Sequence, residues 1–548
     1  MKKSEIEQLE RQGCRCSDWN LVEIAGGTDL GGIRNVWFRG PVSIGRGSTV
    51  VNVPGGISNV RIGRDVRIEN VARIENSADA TFGIGTDIAV LDETGSRPVR
   101  IYPGISAQIA ALAARMPDYS GRHLMPLIDA RIKELQYDFE IGDGAEILDC
   151  GPIRDVRIWP GVKVEGAAWL KNGSIVNNAE EKSGLTYVGS GVNAENFIIE
   201  DATVANGVLL RNTYVGQGCV IDKGFTSHDS LFFANCSMEN GEACAVLAGP
   251  YTVSMHKSSL LIGVQTSFMN AGSGTNMSNH MYKHGPIHWG VLERGVKTSS
   301  NAYLMHGSRI GAFSLVMGVH KTHPDTSDFP FSYLFDDESG HTIVVPGAML
   351  KSFGLKRDSE KWPVRDRRLG HGLKLNDRIT FSILNPHSAD LIMKAIATLK
   401  GLDSAPAGPD GYIIHKGIRI KRSSLEKGIR QYELAICKYL HTMPGKKASE
   451  PIMPTEESDE RWIDLLGQVI SESELKAVLN ADSIAEMEAM LDSAAGRSDL
   501  IDNLPSALRI IPAQADIERG ATEFDAMVER DRTADIDRIA RENEALTL

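Results

Sequence analysis

Aromatic side chains make up only 6% of this 548-residue sequence, too few for a sandwich whose sheets meet over an aromatic core. Glycine is abundant instead, at 54 residues, which fits a tightly wound, turn-rich structure. No stretch reaches the ~18 uninterrupted apolar residues that a membrane-spanning helix needs. The opening Met1-Lys-Lys-Ser-Glu-Ile-Glu7 lacks the apolar core of a secretory signal. Positive charge is in deficit, since 59 Lys and Arg against 71 Asp and Glu leave a net −12 and a pI near 5.7. That balance argues against a general binder of nucleic acid or of anionic membranes, both of which need a basic face, and favours a soluble partner or a small substrate. The cysteines are odd in number and scattered, at Cys14, Cys16, Cys150, Cys219, Cys236, Cys244 and Cys437. Cys14-Arg-Cys16 has the wrong spacing for a redox pair or a zinc knuckle. The set reads as reduced thiols, and the expected location is cytoplasmic.

What the sequence does contain is a repeat. Branched aliphatic residues stand before glycine at Ile44, Ile62, Ile84, Ile141, Val188, Val215, Ile262 and Ile310. Between them the period is six, as in Ile62, Ile68 and Ile74, in Ile158, Val164 and Leu170, and in Val192, Ile198, Val204 and Leu210. One aliphatic side chain per six residues, with small residues at the corners, is the hexapeptide signature of a left-handed parallel β-helix. The expected fold class is therefore mainly β. The left hand is taken from resemblance to hexapeptide proteins, because ordinary parallel crossovers are right-handed.

The register breaks in places. Ile105 to Tyr137 follows helical spacing, through Ile109, Leu112, Leu124, Ile128 and Ile132. The expected order is an N-terminal segment 1–40, a first β-helix part 41–104, a helical insertion 105–138 and a main β-helix 139–355 with loops at 280–295 and 321–340. A basic segment with helices follows at 356–450, and an acidic helical region at 451–548. Ser388 to Leu399, Ser423 to Leu440 and Trp462 to Leu491 have amphipathic helical patterns. The run Lys356 to Arg368 is either a solvated basic face or a receiver for phosphates.

Chemistry concentrates between His256 and Asn279, where the sequence runs H-x13-N-x-G-x-G-T-x3-N through Asn270, Gly272, Gly274 and Thr275. This pattern resembles the acetyltransferase domain of the bifunctional glucosamine-1-phosphate acetyltransferase / N-acetylglucosamine-1-phosphate uridyltransferase family. The resemblance implies His256 as the general base. It places Asn270, Asn279, Lys283 and Glu242 on the substrate side, and Gly272, Gly274 and Thr275 beside acetyl-CoA or another acyl-CoA, with no metal. It also implies a homotrimer with sites between subunits. The chemistry agrees with the residue types: acyl transfer needs a base near neutrality and donors for a developing oxyanion, which the backbone of the Gly272–Thr275 turn could supply. Cys244 and Ser259 stand where the family has a phosphate-binding lysine and a tyrosine, which leaves the acceptor open. A phosphorylated or nucleotide-linked amino sugar is one possibility.

Two other readings compete. His306-Gly-Ser-Arg-Ile310-Gly resembles a segment of γ-class carbonic anhydrases, trimeric left-handed β-helices that hold zinc with three histidines. That resemblance implies a metal site on His306 with partners among His284, His288, His320 and His323. His280, His284 and His288 are four apart, but Asn301 occupies the position of one expected ligand. The third reading is non-catalytic: a β-helix scaffold or a sugar-nucleotide-binding protein, its Asn and His residues satisfying the backbone at coil corners.

Overall fold

The computed structural model describes residues 1–180, 184–278, 289–442, 460–495 and 513–547, with the side chains of 542–547 excepted. The chain separates into two compact units, Met1–Gly263 with Asp366–Asp377, and Val264–Arg365 with Arg378–Leu548. It is mainly β, with mostly parallel strands and several helices.

The first unit is a stack of coils whose strands form three parallel ladders. One ladder stacks Val50, Ile68, Ile147, Val164, Val188, Val204, Ile221, Met238 and Ser254. A second stacks Ile57, Ile74, Ile153, Leu170, Ala194, Leu210, Ser227, Ala243 and Leu261. The third runs from Ile24, Ile44, Ile62, Ile141 and Ile158 to Ile175, Ile199, Val215, Phe232 and Ala248. Nearly all of these side chains are buried, which explains the repeat: each strand face contributes one inward residue per coil. Burying one such aliphatic side chain is worth roughly 1.5–3 kcal/mol. The period is five as well as six. From Val204 the ladder positions proceed to Leu210, Val215 and Ile221, so the run through Val192 and Ile198 drifts off the faces that Val188, Ala194 and Ile199 occupy.

The insertion leaves the stack earlier than expected. Ile68 pairs directly with Ile147 and Ile74 with Ile153, so the chain departs after Arg73–Glu75 rather than near residue 104. The excursion includes an antiparallel hairpin, Asp87–Ala89 against Pro98–Arg100, preceded by Ile84-Gly85, which mimics the aliphatic–glycine pair of a coil in sequence. The helix Ala107–Arg115 follows, capped by Ser106 and buried from Ala107 to Ala114. Coils also begin before residue 41. The strands Arg15–Cys16, Val22–Ile24 and Ile33–Phe38 already pair in the ladders. Gln12, just past the helix Lys3–Arg11, donates to the carbonyls of Leu30 and Ile33.

Corners of this unit are tied by asparagine ladders. Asn35, Asn52 and Asn70 each pass an amide hydrogen to the next residue of the ladder, which ends on Asp149, at 2.7, 2.9 and 2.8 Å. Asn172, Asn196 and Asn212 do the same toward Asp229. Their φ values, 46° to 59°, lie in the left-handed region that Asn tolerates best after Gly. Asn196→Ala is expected to destabilise the unit by about 2–4 kcal/mol, from two lost side-chain bonds and a strained φ. Asn196→Gly should recover the strain part alone, and equal losses for the two variants in thermal melts would remove the strain argument.

The second unit has ladders of its own. Val264–Thr266, Gly290–Leu292 and Arg309–Ile310 form one. Lys297–Thr298, Leu315–Val316 and Tyr333–Asp336 form another, and Asn276–Ser278 pairs with Tyr303–Met305. The two expected loops are shorter than their sequence limits. Gly290–Leu292 is a ladder strand, and in the second loop Phe329 and Phe331 are fully buried while Tyr333–Asp336 pairs with Leu315–Val316. The strand Tyr333–Asp336 then meets Thr342–Val345 antiparallel, and Ile418–Lys421 extends that arrangement. Helices Pro386–Leu402 and Leu425–Thr442 match the expected patterns. The third expected helix is instead a hairpin, Trp462–Leu465 with Gln468–Ser471, followed by two short helices, Glu472–Leu479 and Ile484–Ala494. The intervening turn places Leu466 at φ 52°, a backbone conformation no helix accommodates. Gly520 of the helix Gln514–Thr547 lies so close to Leu425–Thr442 that an added Cβ would come within 2.6 Å of Cys437 Sγ.

Candidate active site

His256 lies in the turn between Val253–Ser254 and Leu260–Ile262, in the first unit. Its side chain is exposed, and no described residue bonds to the imidazole. The turn is held from the preceding coil, where Asn240 Nδ2 donates to Met255 O and Glu242 N donates to Ser259 O at 3.0 Å. Glu242 is exposed on its strand and pairs in register with Leu260, so both candidates stand at the surface of neighbouring coils. Cys244 is a poor nucleophile. Burial, with Glu93 beside it, pushes its thiol up to about 12.

The glycine-rich turn belongs to the second unit. Gly272 N donates to Thr298 Oγ1 at 3.0 Å, and Thr275 Oγ1 donates to Gly272 O at 2.7 Å. Thr275 is buried, and its hydroxyl lies 2.6 Å from that of Thr298. A Cβ on Gly272 would strike the Ser299 backbone at 2.5 Å, and one on Gly274, at φ +71°, would strike Asn301 Oδ1 at 2.4 Å. These glycines let adjacent coils stack. The expected oxyanion role for the Gly272 N–H is corrected accordingly, because Thr298 already takes that hydrogen. Asn270 is exposed at its strand end. Asn279, His280, Lys283, His284 and His288 lie outside the described residues.

Of the remaining histidines, His306 and His320 are buried. His320 Nδ1 meets Thr342 Oγ1 at 2.8 Å, and burial lowers its pKa to about 4, so the ring is neutral near pH 7. His323 Nδ1 contacts the His306 carbonyl. The end of the basic run is committed to the fold. Arg367 donates to the carbonyls of Gly218, Asn235 and Cys236, and Arg368 pairs with Asp366 at 2.7 Å.

A heavily bonded polar cluster of the first unit was not anticipated from the sequence. Glu200 ends the ladder strand Asn193–Glu200 and Asp201 follows it, both of them buried. Its carboxylate accepts from Asn178 Nδ2, Asn376 Nδ2, Gly104 N and Tyr214 OH, at 3.0, 2.9, 2.8 and 2.9 Å. Asp201 accepts from Asn178 N and Gln217 Nε2. Gln217 Nε2 also donates to the Lys374 carbonyl, and its Oε1 accepts from Asn376 N. Asp377 closes the strap 366–377 by accepting from Ala107 N and Ala234 N, both at 2.7 Å. Four separate stretches, at Gly104, Asn178, Tyr214–Gln217 and Asn376, thus meet on one pair of acids. The available signal was two adjacent acids directly after the apolar Phe197-Ile-Ile, inside the coil register.

Residues 1–60 and 49–403 match the family described as Domain of unknown function (DUF4954). The chain belongs to this family. A relative carrying the name "Uncharacterized protein", from Treponema pallidum (strain Nichols), is 26% identical over 454 residues, or 73% of this chain. This chain spans 61% of that relative's length. The DUF4954 match takes in the His256 turn, the glycine-rich turn and the buried acid pair with its strap.

In this DUF4954 chain, burial and then the neighbouring Asp201 raise the Glu200 pKa to about 7. Between its unfolded value and about 7 the folded state binds more protons, so this group's contribution is full at low pH and is lost as pH rises toward 7. Glu200→Gln is expected to flatten that decline in melting temperature between pH 5 and pH 8. An unchanged pH slope in the variant would assign the decline to other groups.

Proposed function

We propose that this chain is an acyl-CoA-dependent transferase, acting on a small polar acceptor such as a phosphorylated or nucleotide-linked amino sugar. The observation that carries the reading is His256: an imidazole exposed on a coil turn, held by no described residue, one coil from the exposed Glu242. A general base needs a nitrogen that the acceptor's proton can reach, and this imidazole is accessible. In the proposed reaction the acceptor's amine or hydroxyl attacks the thioester carbonyl while its proton passes to His256. The carbon–sulfur bond then breaks, and the coenzyme A thiolate takes a proton as it leaves. The coil stack is read as a left-handed β-helix, supported by ladder positions five or six residues apart on three faces. The working form is a cytoplasmic homotrimer with the site between neighbouring prisms. No helix among the described residues is long and apolar enough to cross a membrane.

Calorimetric titration with acetyl-CoA and longer acyl-CoA thioesters, followed by detection of released thiol across a panel of amino-sugar phosphates and sugar nucleotides, tests this reading. Saturable binding and acceptor-dependent thiol release are expected. Absence of binding to every thioester would leave the scaffold reading in its place.

A further inference from the structure

The second unit contains a cavity of about 290 Å³ between the helices Phe353–Val364, Leu425–Thr442 and Gln514–Thr547. Its floor is apolar, made by Leu350, Leu355, Phe524 and Val528, all nearly fully buried. Its polar lining differs in character, with Lys356 and Lys438 among several hydroxyl side chains. Lys438 bonds Asp525 at 2.7 Å, while Lys356 is exposed and has no ion pair among the described residues. Two ammonium groups against one carboxylate leave a net positive charge beside an apolar cleft. An ammonium carries three donors, so Lys438 can keep Asp525 and still reach a second anion. The volume sits at the small end of ligand pockets, which run roughly 300–1,000 Å³ and combine apolar walls with a few placed polar groups.

We propose that this cavity binds a small aliphatic carboxylate, its chain against Leu355, Phe524 and Val528 and its head between Lys356 and Lys438. The chain gains by leaving water, and the head forms a charge-assisted bond at the rim, where it keeps part of its hydration. An uncharged alcohol of equal length fills the same floor and lacks the head contact. A bulkier amphiphile exceeds the volume. The proposal is independent of the transferase reading, since it uses neither His256 nor acyl-CoA.

The test is calorimetric titration of the full chain with sodium octanoate, with 1-octanol as the uncharged control. One saturable site is expected for octanoate, with affinity about tenfold or more above that for the alcohol, the weight of one charge-assisted contact. Lys356→Glu, an exposed change that leaves the fold intact, should weaken octanoate by a similar factor and leave the alcohol unaffected. Val528→Trp should abolish both by filling the floor. If that variant unfolds, the Lys356→Glu comparison still decides. Absence of saturable octanoate binding, or equal octanoate affinity in Lys356→Glu and the unaltered chain, overturns the proposal.

Discussion

His256→Ala is expected to lower turnover by roughly 10²–10⁴-fold, the usual contribution of a positioned general base. The fold should survive. The side chain is exposed, and the turn is held by bonds that do not involve the imidazole: Asn240 to the Met255 carbonyl and Glu242 N to the Ser259 carbonyl. Melting temperature and sedimentation should therefore match those of the unaltered chain, while thiol release from acetyl-CoA falls. Loss in kcat and in kcat/KM by the same factor would mark an interaction made only in the transition state. Full activity in the variant would sink the mechanism. Failure to fold or assemble would instead make His256 a structural corner residue.

Asp366→Ala should be the most damaging single change to stability among those considered. Asp366 and Arg368 have side chains only 4% and 2% exposed, and Asn235 Nδ2 donates to the same carboxylate at 2.8 Å. Removing the acid leaves a guanidinium buried without its counter-charge, at a cost of about 3–5 kcal/mol. Replacing both residues, as Asp366→Leu with Arg368→Met, should restore most of the loss, because neither charge is then stranded. Burial alone would raise the Asp366 pKa, but the hydrogen bond and charge of Arg368, with Asn235, hold it below the usual carboxylate range. Its contribution is thus present above the unfolded carboxylate pKa and is lost as pH falls through the lower folded value, opposite in sign to Glu200. Thermal melts of the two single variants and the double variant measure the coupling. An Asp366→Ala loss within about 0.5 kcal/mol, the range of ordinary surface changes, would show that water reaches Arg368.

The same strap shows that only part of the basic run is a solvated face. Lys356, Arg357 and Arg365 are exposed, whereas Arg367 and Arg368 are bonded into the fold. Charge is visible in a sequence and its partners are not. The partners of Arg367 are backbone carbonyls and the Ser237 hydroxyl, 130 or more residues earlier in the chain, and the carbonyls are signalled by no residue type. Gly272 gives the matching lesson for the proposed site. Glycine next to a candidate ligand turn suggested an open N–H, whereas Thr298 of the following coil takes it. The insertion was legible as helix from Ile109 and Leu112. Its start was not, because Ile84-Gly85, just ahead of the hairpin, repeats the aliphatic–glycine pair of the coils.

By itself the sequence determined the stacked, mostly parallel β architecture, the helix after residue 105 and the helices around Ser388 and Ser423. These follow from burial that recurs at short spacing, so each local stretch carries its own instruction. Only the tertiary structure decided where the coils begin, where the insertion leaves them and which acids are buried. Ala107 N reaches Asp377 across 270 residues, and Asn376 reaches Glu200 across 176. Such polar pairs have no period, and each member looks like an ordinary surface residue until the chain has folded and brought its partner to it.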